Sequence, residues 1–398
     1  MFEEILNLKR PCQLPQTVLS TIEKTINIAI DGANHQNKGF RLAAAFDLLA
    51  SIEYYHSVTN RGWTYCPESQ PKLLYPYTNT CPRCIANGVF SFTKANKPES
   101  GQIGIVTTEL LCTMLDLIFK KKGHNIEVYK ASEPIDAIIY DKDKSKLLIA
   151  EIKSAPMMAI PLVIECERMT ESIDGEIIYT EHSTVDNPAV KKSDIGMFLP
   201  KVSNMPEKIV SLTIDWNKPK PFYSALNTLY MRDNSFFDRF YRYWKIAYDA
   251  YANKDKDCAL FWLTNGCGQP VPRPNDWPAR KGTGYESVSD AKTSVGMDRT
   301  DDIKKAIYQV LKLGAEYKPN DESIKTAIIS NIHAVRHYGE YLLSVRDVIW
   351  SLDKSCSVTR AQQLDPNTPI YNLFDGILSF TRSEIRDAWI ADIFDFGD

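Results

Sequence analysis

The sequence predicts an α/β (α+β) protein whose mixed sheet is flanked by helices, with added helical regions and a small cysteine knuckle. Residues 102–120 repeat apolar side chains at helical spacing, and short apolar strand candidates follow between residues 125 and 153. The pair Cys81 and Cys84 stands in a proline-rich stretch that lacks either period, which predicts the knuckle.

The first 95 residues form the predicted N-terminal helical region, which includes the knuckle. Residues 40–55 repeat apolar side chains at the helical period, and a similar run extends from Val18 to Ile30. Residues 57–100 lose that period and contain five prolines beside three cysteines, so we expect a loop-rich segment there.

The predicted core begins with an amphipathic helix at residues 102–120, which Gly123 ends after lysines that suit a helix C-terminus. The three strand candidates that follow are residues 125–130, 134–140 and 146–153. The polar residues 141–145 predict the tip of a hairpin between the second and third candidates.

Beyond this hairpin the sequence alternates helix and strand signals. The apolar run 259–264 predicts a buried strand, Thr300 and two following acids predict a helix to about residue 313, and residues 325–331 predict another strand. The tail from His337 is predicted to be mostly helical. The predicted regions are therefore 1–95, 96–335 with an insertion around 156–256, and 336–398.

The composition of the 398 residues is that of an ordinary globular protein, with 44% hydrophobic and 24% charged residues. The net charge of -3 gives no direct argument for nucleic acid, although a local basic cleft would be sufficient. We find no run of about 18 apolar residues and no secretion signal, so we expect no membrane span. Nine cysteines without such a signal predict a reducing, cytoplasmic setting.

Two carboxylates converge if the second and third strand candidates form a symmetric hairpin. Glu151 and Lys153 are two residues apart, so on a strand both side chains point to the same face. A hairpin centred on the 143–144 peptide bond places Asp136 across from Glu151, with side-chain carbons roughly 5 Å apart. Such a pair predicts a divalent cation with Lys153 at its edge, because adjacent carboxylates repel each other. The alternative is that Asp136 is an ordinary surface residue.

The acid-X-lysine spacing is weak evidence by itself, because it recurs in the chain. The other instances are Asp290/Lys292, Asp302/Lys304 and Glu316/Lys318. Only Glu151 and Lys153 end an apolar strand and have an aspartate across a hairpin, while Asp290 and Lys292 remain a rival site.

Pro134, Asp136, Glu151 and Lys153 together resemble the motif of the PD-(D/E)XK nuclease superfamily, in which the restriction endonucleases are nearest in overall character. Glu109, in the preceding helix, matches the optional extra carboxylate of that family. The resemblance covers about 130 residues.

The resemblance implies a restriction-endonuclease-like core with the order α-β-β-β-α-β. Residues 259–264 would supply its third strand, with residues 162–165 as the competing candidate. The helix from residue 300 and the strand 325–331 would complete the core. This assignment requires an insertion of about a hundred residues between the second and third core strands.

The resemblance also implies a function, a type II site-specific endonuclease that hydrolyses phosphodiester bonds of double-stranded DNA. Asp136 and Glu151, with a backbone carbonyl, would hold Mg²⁺, and Lys153 would orient or help deprotonate the attacking water. Glu109 would be a second-metal or water-mediated ligand, or else a solvated helix residue. A homodimer, a cognate DNA methyltransferase and a prokaryotic cytoplasm are the implied partners and setting.

Two alternatives to a restriction enzyme remain open from the sequence. One is a DNA repair or junction-type nuclease of the same superfamily. The other is a non-catalytic, zinc-containing nucleic-acid-binding protein.

The segment from Cys81 to Cys84 resembles a zinc knuckle, because two thiolates on one tight turn suit tetrahedral Zn²⁺. Cys66 is the candidate third ligand. The candidates for the fourth ligand are His56, Cys12 and Cys112. Reduced free thiols, or an iron–sulfur or redox role, are alternatives to structural zinc.

The candidate DNA-binding segment is a glycine-containing loop directly before the helix that begins near residue 300. Its basic residues are Arg273, Arg280, Lys281, Lys292 and Arg299. Backbone amides and guanidinium groups there could hold phosphate or contact guanine edges, and a solvated loop is the alternative. The aromatic and basic segment 236–245 is interpreted as an amphipathic helix with its aromatic side chains in the core.

Overall fold

The computed structural model describes residues 2–10, 14–68, 70–93, 95–166, 183–185, 188–265, 295–298, 300–318, 321, 323–346, 348–350, 358–360 and 375–396. Within them the α-helices are α1 (Phe2–Leu6), α2 (Gln16–Asp31), α3 (Lys38–Tyr55), α4 (Pro82–Ala86), α5 (Ser100–Lys121), α6 (Pro221–Arg232), α7 (Phe236–Asn253), α8 (Thr300–Tyr317), α9 (Leu343–Arg346) and α10 (Ala388–Ile393). Short 3₁₀ helices lie at Val190–Lys192 and Ala259–Leu263, and a π-helix at Tyr338–Leu342.

The strands form a mixed sheet, an antiparallel sheet and a separate two-stranded pair. They are β1 (Lys9–Arg10), β2 (Trp63–Cys66), β3 (Lys72–Tyr75), β4 (Ile126–Ala131), β5 (Ala137–Asp141), β6 (Lys146–Ile152), β7 (Leu162–Glu165), β8 (Ser183–Val185), β9 (Ile195–Leu199), β10 (Lys208–Ser211), β11 (Ile324–Ser330), β12 (Val348–Trp350), β13 (Val358–Arg360), β14 (Gly376–Ser379) and β15 (Glu384–Ile385).

The main sheet has seven strands in the order β1-β4-β5-β6-β11-β14-β15. Strands β4, β5 and β6 form an antiparallel meander, whereas β6, β11 and β14 run parallel. The α5 side of this sheet belongs to the largest core, and α8 packs over β6 and β11 on the other side. The protein is therefore a mixed α+β structure with a mixed sheet flanked by helices, as the sequence predicts at that level.

Helix α5 forms where the apolar period predicts it. Its end has two backbone hydrogen bonds, from Gly123 N to Lys120 O and from His124 N to Phe119 O, and Gly123 adopts a φ of 77°. This is a Schellman motif, which favours glycine because a side chain at positive φ is strained.

By length and composition alone, α5 is the one helix of the described residues that could cross a membrane. Polar residues interrupt this helix, so it is not an unbroken apolar run, and the absence of a membrane span stays a prediction. Half of its most apolar window is buried, and it packs against β4, α2 and α3.

The hairpin β5–β6 has the predicted symmetry. Ala137 pairs with Ala150 and Asp141 with Lys146, so the register centred on the 143–144 peptide bond is confirmed. Residues 147–150 of β6 are fully buried, since both faces of this central strand are covered.

The second sheet has six antiparallel strands in the order β10-β9-β7-β3-β2-β8. It includes two strands from the segment predicted to be loop-rich, β2 and β3. It also includes β7, the competing candidate for the third strand of the main core. Residues 153–161 lead from β6 of the main sheet to β7 of this one.

The prediction of a strand at residues 259–264 is wrong, because Ala259–Leu263 form a 3₁₀ helix. Backbone hydrogen bonds join Phe261 N to Cys258 O and Thr264 N to Phe261 O, and the apolar side chains from Leu260 onward are buried. A short buried apolar run is compatible with either state, since burial on all sides removes the periodicity. The third strand of the meander is β6 itself, so the long insertion follows that strand instead of preceding it.

The C-terminal tail is also corrected. Its described residues contain four short strands, and β14 lies inside the main sheet, parallel to β11, although the sequence predicts mostly helix. The four buried residues of β14 are too few to display a period, and their pairing depends on distant parts of the chain. Helix α8 likewise continues past Gly314 to Tyr317.

Candidate functional site

Asp136 and Glu151 lie side by side at the open end of the β5–β6 hairpin. Asp136 immediately precedes β5, and its backbone N donates to Ala150 O at 3.2 Å. Its Oδ2 accepts a hydrogen bond from Ile152 N at 2.9 Å. The backbone of β6 therefore fixes the Asp136 carboxylate next to Glu151.

The two carboxylates form a like-charge pair with an ammonium group beside it. Glu151 is only 9% exposed, and burial, together with the negative charge of Asp136, raises the pKa of Glu151 to about 7. Lys153 opposes this shift and donates a hydrogen bond from Nζ to Glu151 Oε1. The structure thus brings together the three residues that the hairpin register predicts.

Residues distant in sequence hold the segment that follows Lys153. Asn331, just after β11, accepts from Ala155 N at 3.2 Å and donates from Nδ2 to Ala155 O at 2.9 Å. Thr107 of α5 donates from Oγ1 to Ser154 O at 2.8 Å. Sequence reasoning missed both residues, because contacts across 176 and 47 positions leave no spacing pattern.

Glu109 belongs to a different layer from the carboxylate pair. Helix α5 contributes to the core that contains Ile152, whereas Glu151 points to the opposite face of its strand. Burial raises the pKa of Tyr223 on α6, and the charges of Glu53 and Glu109 add to that shift. The position of Glu109 therefore does not favour it as a ligand of the same cation.

Cys66, Cys81 and Cys84 form a buried cysteine cluster. Their sulfur atoms all lie within 4.8 Å of one another, and those of Cys66 and Cys84 are 3.7 Å apart. Two Zn–S bonds of about 2.3 Å at a tetrahedral angle give a sulfur separation of about 3.8 Å, whereas a disulfide needs about 2 Å. Among the described residues, this is the one such group of three or more ligand side chains, and it could bind a metal such as zinc.

Two buried basic residues neighbour the cysteine cluster, and both pair with a carboxylate. Lys72, the cross-strand neighbour of Cys66, is 2% exposed, and Arg83 is 7% exposed. Glu207 lies 3.7 Å from Lys72 Nζ and 3.3 Å from Arg83 Nε. Burial raises the pKa of the Cys81 thiol, and the neighbouring thiols of Cys66 and Cys84 add to the shift, whereas a bound metal would deprotonate it.

The proposed fourth ligands do not join the cysteine cluster. His56 stacks on Tyr223 at 5.9 Å between ring centroids, and its Nδ1 lies 3.7 Å from Glu53 Oε2. Cys112 is buried within the main core, away from the small core that contains the cluster. Cys12 lies outside the described residues. The assignments of His56 and Cys112 are therefore corrected.

The basic loop and the rival acid–lysine pair also lie outside the described residues. They comprise Arg273, Arg280, Lys281, Asp290, Lys292 and Arg299.

Three comparisons with known proteins found no match. No family model matches the chain. No curated protein matches it, and no solved structure matches it either.

Proposed function

We propose that this protein is a Mg²⁺-dependent endonuclease that hydrolyses phosphodiester bonds of double-stranded DNA. The observation that carries the proposal is the convergence of Asp136, Glu151 and Lys153 at one end of a buried hairpin. Two carboxylates and an ammonium group in this arrangement suit a phosphoryl-transfer site, where positioned charge supplies most of the catalysis.

The order of the elements supports the resemblance to the PD-(D/E)XK nucleases. Helix α5, the meander β4–β5–β6, helix α8 and strand β11 follow one another as α-β-β-β-α-β, with β11 parallel to β6. This order is the one that the resemblance implies, once β6 is taken as the third strand.

The donor set fits Mg²⁺, which takes oxygen ligands and is held by one or two carboxylates together with substrate phosphate. Asp136 and Glu151 would hold the ion, because their adjacent negative charges oppose each other in its absence. When bound, Mg²⁺ supplies positive charge against the scissile phosphate and makes water a better nucleophile.

Lys153 then has a defined task. Its Nζ is held by Glu151 at the edge of the pair, and its backbone N donates to Ile329 O of the neighbouring strand at 3.0 Å. From that position the ammonium group orients the attacking water and stabilises the negative charge that develops on the phosphate.

We further propose a type II restriction enzyme in a prokaryotic cytoplasm. The many residues beyond the core would supply sequence recognition, and a homodimer would place one site on each strand of a palindromic target. A cognate methyltransferase would protect the host DNA. Zn²⁺ is the metal that we propose for the cysteine cluster, because the sulfur spacing matches tetrahedral ligation.

Cleavage of diverse plasmid and phage DNA with Mg²⁺ tests this function. We expect discrete fragments from the wild type, none with EDTA, and a loss of at least about 100-fold in rate for Glu151→Gln. Glu316→Gln is the matched control, because Glu316 is an exposed residue of α8 that begins another acid-X-lysine triplet, so the change should leave the rate unchanged.

The outcomes separate the alternatives. Smeared or structure-dependent cuts would indicate a repair or junction nuclease. The nuclease proposal fails if the wild type cuts nothing, or if Glu151→Gln cuts as fast as the wild type.

A further inference from the structure

A pocket of about 330 Å³ lies between the end of α3 and the first turns of α5. Its volume is near the lower limit of about 300–1,000 Å³ for small-molecule sites, so it suits a ligand of one or two rings. The lining is mostly apolar, with polar groups at a few points. Its principal side chains are those of Glu53, Tyr54, His56, Tyr77, Gln102 and Ile103.

Aromatic rings form one wall of this pocket. The rings of Tyr54 and Tyr77 pack edge to face at 5.0 Å, and the Tyr54 hydroxyl donates to Pro76 O at 3.2 Å, which fixes the ring. His56 lines the same wall, and neither of its buried ring nitrogens has a hydrogen-bond partner among the described residues. Rigid aromatic surfaces of this kind bind nucleobases by stacking, because every base has a π-face.

Glu53 provides a carboxylate within a mostly apolar lining. Its side chain is 14% exposed and accepts hydrogen bonds from Lys220 Nζ at 3.0 Å and from the Tyr223 hydroxyl, so the lone pairs that remain are those available to a ligand. A carboxylate accepts from the exocyclic amino group of a base, whereas the carbonyl that replaces this group in uracil would be repelled.

Two lysines lie next to side chains that line the pocket. Lys220 forms an ion pair with Glu53, and Lys97 lies over the Tyr77 ring at 5.9 Å and donates a hydrogen bond to Asn265 Oδ1. Pro156 lines the pocket and lies three residues after Lys153, so the Cα atoms of the two residues are at most about 11 Å apart. The pocket is therefore close to the carboxylate pair.

We propose that this pocket binds a single nucleobase that carries an exocyclic amino group. The base belongs either to a free nucleotide or, if the proposed function is right, to DNA held at the carboxylate pair, with that base turned out of the helix. Turning out costs unstacking energy, which is lowest for a base without a partner.

The first experiment uses free nucleosides and does not depend on nuclease activity. Saturation-transfer NMR titrations should show cytidine binding at least about fivefold tighter than uridine, from one charged hydrogen bond. Ile103→Trp fills the pocket and should abolish binding, and Glu53→Gln should reduce the preference for cytidine. Ile105→Trp is the matched control, since Ile105 is 53% exposed on the same helix and should bind as the wild type does.

A second variant distinguishes a blocked pocket from a misfolded protein. Gln102→Trp blocks the same pocket from an exposed position, so it should also abolish cytidine binding while the far-UV circular dichroism stays unchanged. Equal affinities for cytidine and uridine, or cytidine binding that survives both tryptophans, would overturn the proposal.

The second experiment identifies the source of the base. Fluorescence anisotropy with Ca²⁺ compares a 20-base-pair duplex with one in which a cytosine faces an abasic site. Tighter binding of the second duplex, lost in Ile103→Trp but kept in Ile105→Trp, would assign the pocket to a base of DNA. A preference that persists in Ile103→Trp, with cytidine binding lost, would assign it to a free nucleotide.

The two proposals can fail separately. If Mg²⁺-dependent cleavage occurs but neither cytidine nor the abasic duplex depends on Ile103, the pocket proposal falls and the nuclease stands. If no DNA is bound or cut while cytidine binds as expected, the nuclease proposal falls and the pocket stands.

Discussion

The two sheets place their polar clusters in opposite surroundings. At the end of the main sheet, the side chain of Lys153 remains 21% exposed beside Glu151, and the carboxylate of Asp136 lies next to that glutamate. On the second sheet, Cys66, Cys81 and Cys84 are at most 1% exposed and their sulfur atoms lie in mutual contact range.

The difference in exposure determines the role of each cluster. The partly exposed carboxylate pair leaves room for a substrate to approach, whereas the buried cysteine cluster is closed to a substrate and can only stabilise the fold around it. Changes to the main-sheet cluster should therefore affect activity, and changes to the cysteine cluster should affect stability.

The largest effect is expected from Cys84→Ser. Structural zinc sites contribute their binding energy to folding, so losing one thiolate should remove the metal and lower the free energy of unfolding by about 3–5 kcal/mol. Mass spectrometry of bound metal and urea denaturation measure the two effects. Cys258→Ser, at a half-buried position elsewhere, should retain both metal and stability. Zinc that stays bound to Cys84→Ser with unchanged stability would contradict the interpretation that the cysteine cluster holds a structural metal.

Lys153→Met should affect activity much more than stability. Methionine keeps most of the length of the side chain and removes the charge, so DNA cleavage should slow by about 10²–10³-fold. Bound zinc should remain that of the wild type, and the loss of unfolding free energy should be smaller than in Cys84→Ser, because the lysine side chain is partly exposed. Lys304→Met, in another acid-X-lysine triplet, is the control and should cleave normally. Loss of bound zinc in Lys153→Met would show that the two clusters are not separate.

The sequence could predict both clusters for the same reason. Asp136, Glu151 and the three cysteines are joined by local chain geometry, a symmetric hairpin in one case and a tight turn next to a strand in the other. Local geometry is readable because its spacing is fixed by strand and turn dimensions.

The rest of the fold depends on contacts that local spacing does not determine. The main sheet gains β14 from a tail that reads as helical, and residues 259–263 form a 3₁₀ helix because packing, not period, decides a short buried run. The supporting residues Thr107 and Asn331 act through backbone groups far away in sequence, so no motif reveals them.

The free energy of unfolding should depend on pH through Asp47, which binds the segment 153–161 between the two sheets. This fully buried residue of α3 accepts at Oδ2 from Met157 N and Met158 N, each at 3.0 Å, and from Trp244 Nε1 at 2.7 Å. Burial raises the pKa of Asp47 to about 7, against the hydrogen bonds that lower it.

Because the folded-state pKa lies above the unfolded value, the native protein binds more protons between about pH 4 and pH 7. Stability from this group is therefore complete below pH 4 and falls as pH rises through 7. Between pH 5 and pH 8 the wild type should lose about 2–3 kcal/mol relative to Asp47→Asn, which keeps an acceptor but cannot ionise. Urea denaturation of both proteins across that range measures the difference, and parallel pH profiles would exclude the interpretation.

The smallest effect is expected from Thr107→Val, which tests whether α5 positions the segment after Lys153. Valine keeps the shape but loses the hydroxyl, whose single proton is shared between Ser154 O and Ile103 O, each 2.8 Å away, so the free energy of unfolding should fall by about 1 kcal/mol. Thr113→Val is the matched control, because its hydroxyl donates to Glu109 O within the same helix and should cost a similar amount of stability. If the Ser154 contact positions Lys153, only Thr107→Val should slow DNA cleavage, by less than tenfold, and bound zinc should stay the same in both. Equal cleavage rates for the two variants would mean that β6 and β11 alone fix Lys153, through its backbone bond to Ile329.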